Sequence, residues 1–132
     1  MIYWVFDWII LREVLVGGFR MEVLKAGEGK KLDVFKEIKS EIIFSGNKLI
    51  FLLVDMKPGQ IILEHRHRHE QMGICLKGKA EFISGENRVV VEAGMFYWMK
   101  PNESHKVKVI EESTFLDVFS PPREDYLEKA EL

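Results

Sequence analysis

Residues 65–71, HisArgHisArgHisGluGln, place four side chains able to bind a metal at every second position. In a β-strand alternate residues share a face, so the spacing predicts that His65, His67, His69 and Gln71 converge while Arg66, Arg68 and Glu70 point away. Imidazole is the commonest side-chain ligand of the late first-row metals, and a carboxamide oxygen can complete such a set. The bland alternative is a polar strand of solvated histidines, because short His-rich tracts also take up metal adventitiously.

From residue 30 onward the chain reads as short strands between turn residues, the pattern of an all-β sandwich or barrel. Strands are expected near 32–37, 41–45, 49–56, 61–67, 71–77, 79–84, 88–92, 95–99, 105–110 and 114–119. Gly46-Asn47, Pro58-Gly59, Gly85-Glu86-Asn87 and Pro101-Asn102 supply turns. The apolar run over residues 49–54 lacks alternation and predicts a strand buried on both faces, hence a second covering surface. After Pro121-Pro122 one short helix is expected within residues 123–132.

The spacing of fixed points around the histidines resembles the two motifs of the cupin superfamily. Gly59, His65, His67 and Gly78 fall at the first motif's positions, with Gln71 where Glu is usual. Gly94 and His105 match the second motif. Lys100 replaces its Pro, Asn102 its Gly, and Val109 stands where an Asn would fall. The resemblance covers roughly residues 45–120 and implies a small antiparallel barrel or jelly roll. It also implies one divalent transition metal (Ni, Zn, Mn, Fe or Cu) held by His65, His67, Gln71 and His105. A 3-His/1-Gln set leaves one or two positions open for substrate or water, unlike a closed structural site. Gln in place of Glu removes a negative charge from the ion, which suits Lewis-acid chemistry. Two roles are open to His69: a ligand replacing Gln71, or a residue beside the site or exposed.

Residues 116–126 resemble the ending of small cupins that linearise unsaturated uronates in pectin and alginate breakdown. The resemblance implies roles for Asp117, Phe119 and Arg123. Asp117 and Phe119 share a strand face, and a carboxylate there can move a proton. Arg123 is suited to clamp a uronate carboxylate with its planar fork. Lys100 is a second candidate for that task, and Tyr97 a candidate wall of the substrate pocket. Within residues 95–99 the lumen is lined either by Met95, Tyr97 and Met99 or by Phe96 and Trp98. The plainer readings are a surface ion pair of Arg123 with Glu124 or Glu128 and a backbone-bonded Asp117. A metal-dependent dioxygenase and a non-catalytic binding module for a sugar or other small ligand are the alternatives from other classes.

A chain of 132 residues with 47% apolar content holds one core. Its formal net charge of −2, with scattered Lys and Arg, gives no reason to expect nucleic acid. The single Cys75 excludes an internal disulfide and fits a reducing, cytoplasmic compartment. Residues 1–20 form an apolar extension interrupted by Asp7, Arg12 and Glu13, too short an uninterrupted run to predict a membrane span, and no basic region precedes it as a secretory signal would require. That extension either packs as an extra element or precedes a natural start at Met21, with the barrel domain over 21–132. The partners expected are a carboxylated small molecule and a second copy of the chain.

Overall fold

Runs rich in β-branched and aromatic residues between Gly, Pro and Asn turns fold as strands. The computed structural model describes residues 13–16 and 19–130. Strands β1 (Glu13–Val16) and β2 (Phe19–Glu22) pair antiparallel in a two-stranded sheet of their own. The expectation for residues 1–12 lies outside the described residues. The remaining strands are β3 (Lys30–Leu32), β4 (Lys39–Ser45), β5 (Ile50–Met56), β6 (Ile61–His65), β7 (Glu70–Ser84), β8 (Asn87–Glu92), β9 (Phe96–Met99) and β10 (His105–Ser120). Helix α1 (Glu124–Lys129) follows.

These eight strands make one antiparallel sheet bent into a jelly roll, as the all-β reading required. Two long strands, β7 with 15 residues and β10 with 16, run through both of its walls. The second half of β10 pairs with β5 and with the first half of β7, which also carries β9. The first half of β10 pairs with β6 and with the second half of β7, which carries β8. The inward residues of the two walls meet as the core: Ile42, Leu52, Val54 and Phe115 from one, Ala80, Phe82, Val91, Val107 and Val109 from the other. Helix α1 adds Tyr126, buried against the ring of Phe35, and Leu32 bridges to Ala130 behind it.

Five expectations need correction. The strand expected near 32–37 is β3 at Lys30–Leu32, and residues 35–37 bend and turn instead. Residues 65–71 are not one strand: β6 ends at His65, residues 66–69 turn, and β7 begins at Glu70. Alternation therefore does not place the histidines; the turn does. Strand β7 does not stop at Gly78, whose φ of 91° absorbs a bend with no break in the strand. A Cβ there would lie 2.2 Å from the Glu112 carbonyl oxygen. Opposite that bend β10 is likewise continuous, its pairing with β7 shifting register between Val109 and Phe115. Finally, β5 alternates after all: Ile50, Leu52, Val54 and Met56 are buried, and Phe51, Leu53 and Asp55 are half-buried.

Candidate metal centre

His65, the last residue of β6, is the direct register partner of His105, the first residue of β10. Their ring centroids lie 4.4 Å apart. The 66–69 turn folds His67 back over the pair, 5.6 Å from His65 and 5.2 Å from His105. One ligand atom from each of the three lies within 4.8 Å of the others.

The backbone sets the direction of each ring. Nδ1 of His65 lies 2.8 Å from the Leu63 carbonyl oxygen, Nδ1 of His67 lies 2.9 Å from that of His69, and Nδ1 of His105 lies 2.8 Å from that of Glu103. A carbonyl only accepts, so each Nδ1 carries the proton and each Nε2 presents a lone pair. Burial pushes the His67 pKa down to about 4, helped by the nearby Arg123 and His105 charges. Burial lowers that of His105 as well. Both shifts favour the neutral imidazole, the form that ligates.

Gln71 adds an oxygen. Its Oε1 lies 3.2 Å from His67 Nε2, while its Nε2 donates to Asp117 Oδ1 at 3.1 Å. A neutral imidazole lone pair and an amide oxygen facing each other have no proton to share. A cation satisfies both at once, and the donor set of three imidazoles and a carboxamide suits a divalent transition metal.

His69 is buried but its ring turns away, with Nε2 3.2 Å from a carboxylate oxygen of Glu124, which Arg68 also holds at 3.0 Å. Its carbonyl, not its imidazole, serves the cluster, by orienting His67. His69 thus stands beside the site rather than in it.

Register builds a second row behind the histidines. Asp117 on β10 faces Gly73 on β7, which faces Tyr97 on β9. A Cβ on Gly73 would lie 2.5 Å from both Asp117 Oδ1 and the Tyr97 ring. Its absence lets the Tyr97 hydroxyl reach across the strand and donate to Asp117 Oδ1 at 2.6 Å. Burial raises the Asp117 pKa to about 6, against the pull of the hydrogen bonds from Tyr97 and Gln71. The same burial and the Asp117 carboxylate push the Tyr97 hydroxyl well above its usual range. Tyr97 and Met99 face the lumen, whereas Phe96 and Trp98 point outward.

Phe119 is buried, its ring 5.5 Å from His67 and 5.7 Å from Tyr126. The buried Arg123 guanidinium lies 5.0 Å from the Phe119 ring and 3.9 Å from that of Tyr126. Its Nε and Nη2 donate to Asp125 at 3.0 and 2.8 Å, so the fork is already taken and Nη1 alone has no partner. Lys100 is not brought to this cluster; it is exposed, with its ammonium 5.2 Å over the outward ring of Trp98. The cavity bounded by His65, Gln71, His105, Asp117, Phe119 and Tyr97 has a volume of about 30 Å³. That is room for an ion and water, not for a sugar, so a larger molecule must enter from the half-exposed side of His65 and His67.

Three contributors escaped the sequence reading. Gly73 offered a legible signal, a glycine inside a strand, which marks close approach of a neighbour. Tyr126 and Asp125, which sandwich Arg123, offered none beyond lying on a short helix.

This jelly roll with a histidine cluster at one end of its lumen belongs to the cupin family: the profile of the cupin domain matches residues 52–119. Over 93 residues the chain is 37% identical to the pectin degradation protein KdgF of Dickeya dadantii (strain 3937), spanning 68% of this chain and 84% of that protein. The structure of KdgF from Halomonas sp. superposes with a TM-score of 0.70 at 24% identity, covering 76% of this chain and 95% of that one. An RmlC-like cupin from Shewanella frigidimarina NCIMB 400 gives 0.72 at 19% identity, covering 87% and 98%. At those identities the two structures speak for the fold. Among the described residues no helix is long and apolar enough to cross a membrane.

Proposed function

We propose that this cupin is an isomerase-type enzyme that opens a cyclic 4,5-unsaturated uronic acid to its keto form. Its site would be one divalent metal held by His65, His67, Gln71 and His105. The observation that carries the reading is the placement of a buried carboxylate, Asp117, one hydrogen bond behind the ligand set, in a chain related to a pectin degradation protein.

A bound metal would supply Lewis-acid polarisation of a substrate oxygen. The chain's residues account for the rest. Opening the ring of such a uronate frees an enol, whose oxygen loses a proton while the neighbouring carbon gains one. A carboxyl with a pKa of about 6 exchanges protons readily near neutral pH, which suits Asp117 to that transfer. The unpartnered Nη1 of Arg123 is the donor available for the uronate carboxylate, and Asp125 keeps the guanidinium in place. Phe119 and Tyr97 line the small cavity behind the ligand set, and the sugar ring would rest outside it, against the half-exposed side of His65 and His67. The barrel acts as a single domain over residues 21–132. A second copy covers its apolar outer face, and the free, buried Cys75 supports a reducing, cytoplasmic setting.

The test is loss of the ultraviolet absorbance of an unsaturated uronate with metal-loaded protein. Asp117→Asn keeps shape and hydrogen bonding but not the proton, so turnover should fall by about 10²–10⁴ with metal content near the parent's. Turnover that depends on dioxygen would instead indicate a dioxygenase, and tight binding without turnover a binding module.

A further inference from the structure

A carboxamide ligand has a problem that a carboxylate ligand lacks: its two ends differ. Rotated by 180° about its last torsion, Gln71 would point an NH₂ group, which is no ligand, at the histidines. Nothing intrinsic to the side chain prevents the flip, so its neighbours must choose the orientation.

We propose that Asp117, held by Tyr97, is the positioning residue that turns the Gln71 oxygen toward the metal. This rests on the ligand set given above. Asp117 Oδ1 accepts from Gln71 Nε2 at 3.1 Å, which leaves Oε1 directed at His67 Nε2, 3.2 Å away. In the flipped amide two oxygens, Gln71 Oε1 and Asp117 Oδ1, would face each other with no hydrogen between them. The same Oδ1 accepts from the Tyr97 hydroxyl at 2.6 Å, so the carboxylate is held by the tyrosine as well as by the glutamine. Gly73 makes the arrangement possible, because any side chain there would occupy the gap between Asp117 and Tyr97. Asp117 and Gln71 are both buried, so water does not offer either amide end an easy substitute.

This role differs from proton transfer at the same residue and can be separated from it. Asparagine at position 117 retains an oxygen able to accept from Gln71 but holds no exchangeable acid proton. Leucine has a similar size and accepts nothing. The experiment is a Co²⁺ and Zn²⁺ titration against a competing chelator, with the Co²⁺ absorption spectrum reporting the ligand sphere and a thermal melt reporting the fold.

Asp117→Asn, whose own amide can turn either an accepting oxygen or a donating NH₂ toward Gln71, should bind metal more weakly than the parent but more tightly than Asp117→Leu. Asp117→Leu should bind about 10–100-fold more weakly, the usual cost of losing a partner behind a ligand, with an altered Co²⁺ spectrum. Tyr97→Phe should show a smaller loss, about two- to tenfold, from one hydrogen bond. It decides the matter if Asp117→Leu does not fold. Parent-like affinity and spectrum in a folded Asp117→Leu, or in Tyr97→Phe where the former is unfolded, overturn the positioning role alone. A parent that binds neither metal overturns the ligand set together with it.

Discussion

The two faces of strands β5, β10, β7 and β9 make different demands: inward, a row of polar side chains sits among the apolar core, and outward the strands carry apolar residues where an antiparallel sheet is usually polar. Inward, the register lines up Gln71, Asp117 and Tyr97, with Arg123 and three imidazoles nearby. Outward, the same register lines up Phe51 and Leu53 on β5, Leu116 and Val118 on β10, Met72 and Ile74 on β7, and Trp98 and Phe96 on β9. Phe96 is 78% exposed and Trp98 55%. Each face is costly for an isolated chain, for opposite reasons. Buried polar groups need charge or hydrogen bonds to offset desolvation, and a broad exposed apolar patch needs another surface. On the function proposed above, the inner face would take an ion and a polar ligand, and the outer face would meet a protein partner. They are independent requirements written on alternate residues of the same strands.

The largest effect expected is on the inner face. His67→Ala removes the imidazole that the turn places between the other two histidines and Gln71. Metal affinity should drop by more than the roughly 10–100-fold that loss of an outlying partner costs, and turnover with it. Elemental analysis of protein purified without a metal-affinity column measures this. Unchanged stoichiometry in that variant would sink the site as drawn. A milder effect should come from Arg123→Lys. Lysine has one ammonium, which cannot hold Asp125 and a substrate carboxylate in the geometry of a planar fork. Loss of one charge-assisted hydrogen bond should raise KM about tenfold or more while kcat changes little. A kcat loss without a KM change would place Arg123 in the chemistry instead.

The unequal legibility of the two faces has a physical basis. The all-β class, the turns and His65, His67, Gln71 and His105 follow from motif spacing, which records where the chain must turn and which side chains face one cavity. The histidines converge for a different reason from the one alternation suggests, because a tight turn after His65 looks locally like strand. Asn102 shows how a motif departure can leave geometry intact: it sits at φ 65°, a left-handed conformation asparagine tolerates better than most residues. The reach of Tyr97 across Gly73 to Asp117 depends on three strands in register, and single-strand periodicity contains no register. Arg123 was legible as an arginine near the site, but Asp125 occupying its fork depended on the direction α1 takes. The outer apolar face was obscured in the same way. Residues 49–54 read as a strand buried on both sides, whereas their outward members are part of a four-strand surface.

The smallest effect on chemistry, and the clearest on association, should come from that surface. Phe96 is the most exposed of its side chains, so Phe96→Glu costs the folded single chain little, since substitutions at exposed sites are usually near neutral. In a two-fold dimer built on this face the same change places two carboxylates against an apolar surface with no counter-charge. Burying an unpaired charge is among the most expensive events in an interface. The parent should therefore run as a dimer at micromolar concentration in light scattering and the variant as a monomer, with melting temperature lowered only by the loss of association. Because the outer residues alternate with the site residues along each strand, turnover per chain should stay within about twofold, the scale of a surface substitution's ±0.5 kcal/mol. A parent that is monomeric at that concentration would show that the outer face meets some other partner. A variant that loses turnover as well as the dimer would show that the two faces are coupled through the strands they share.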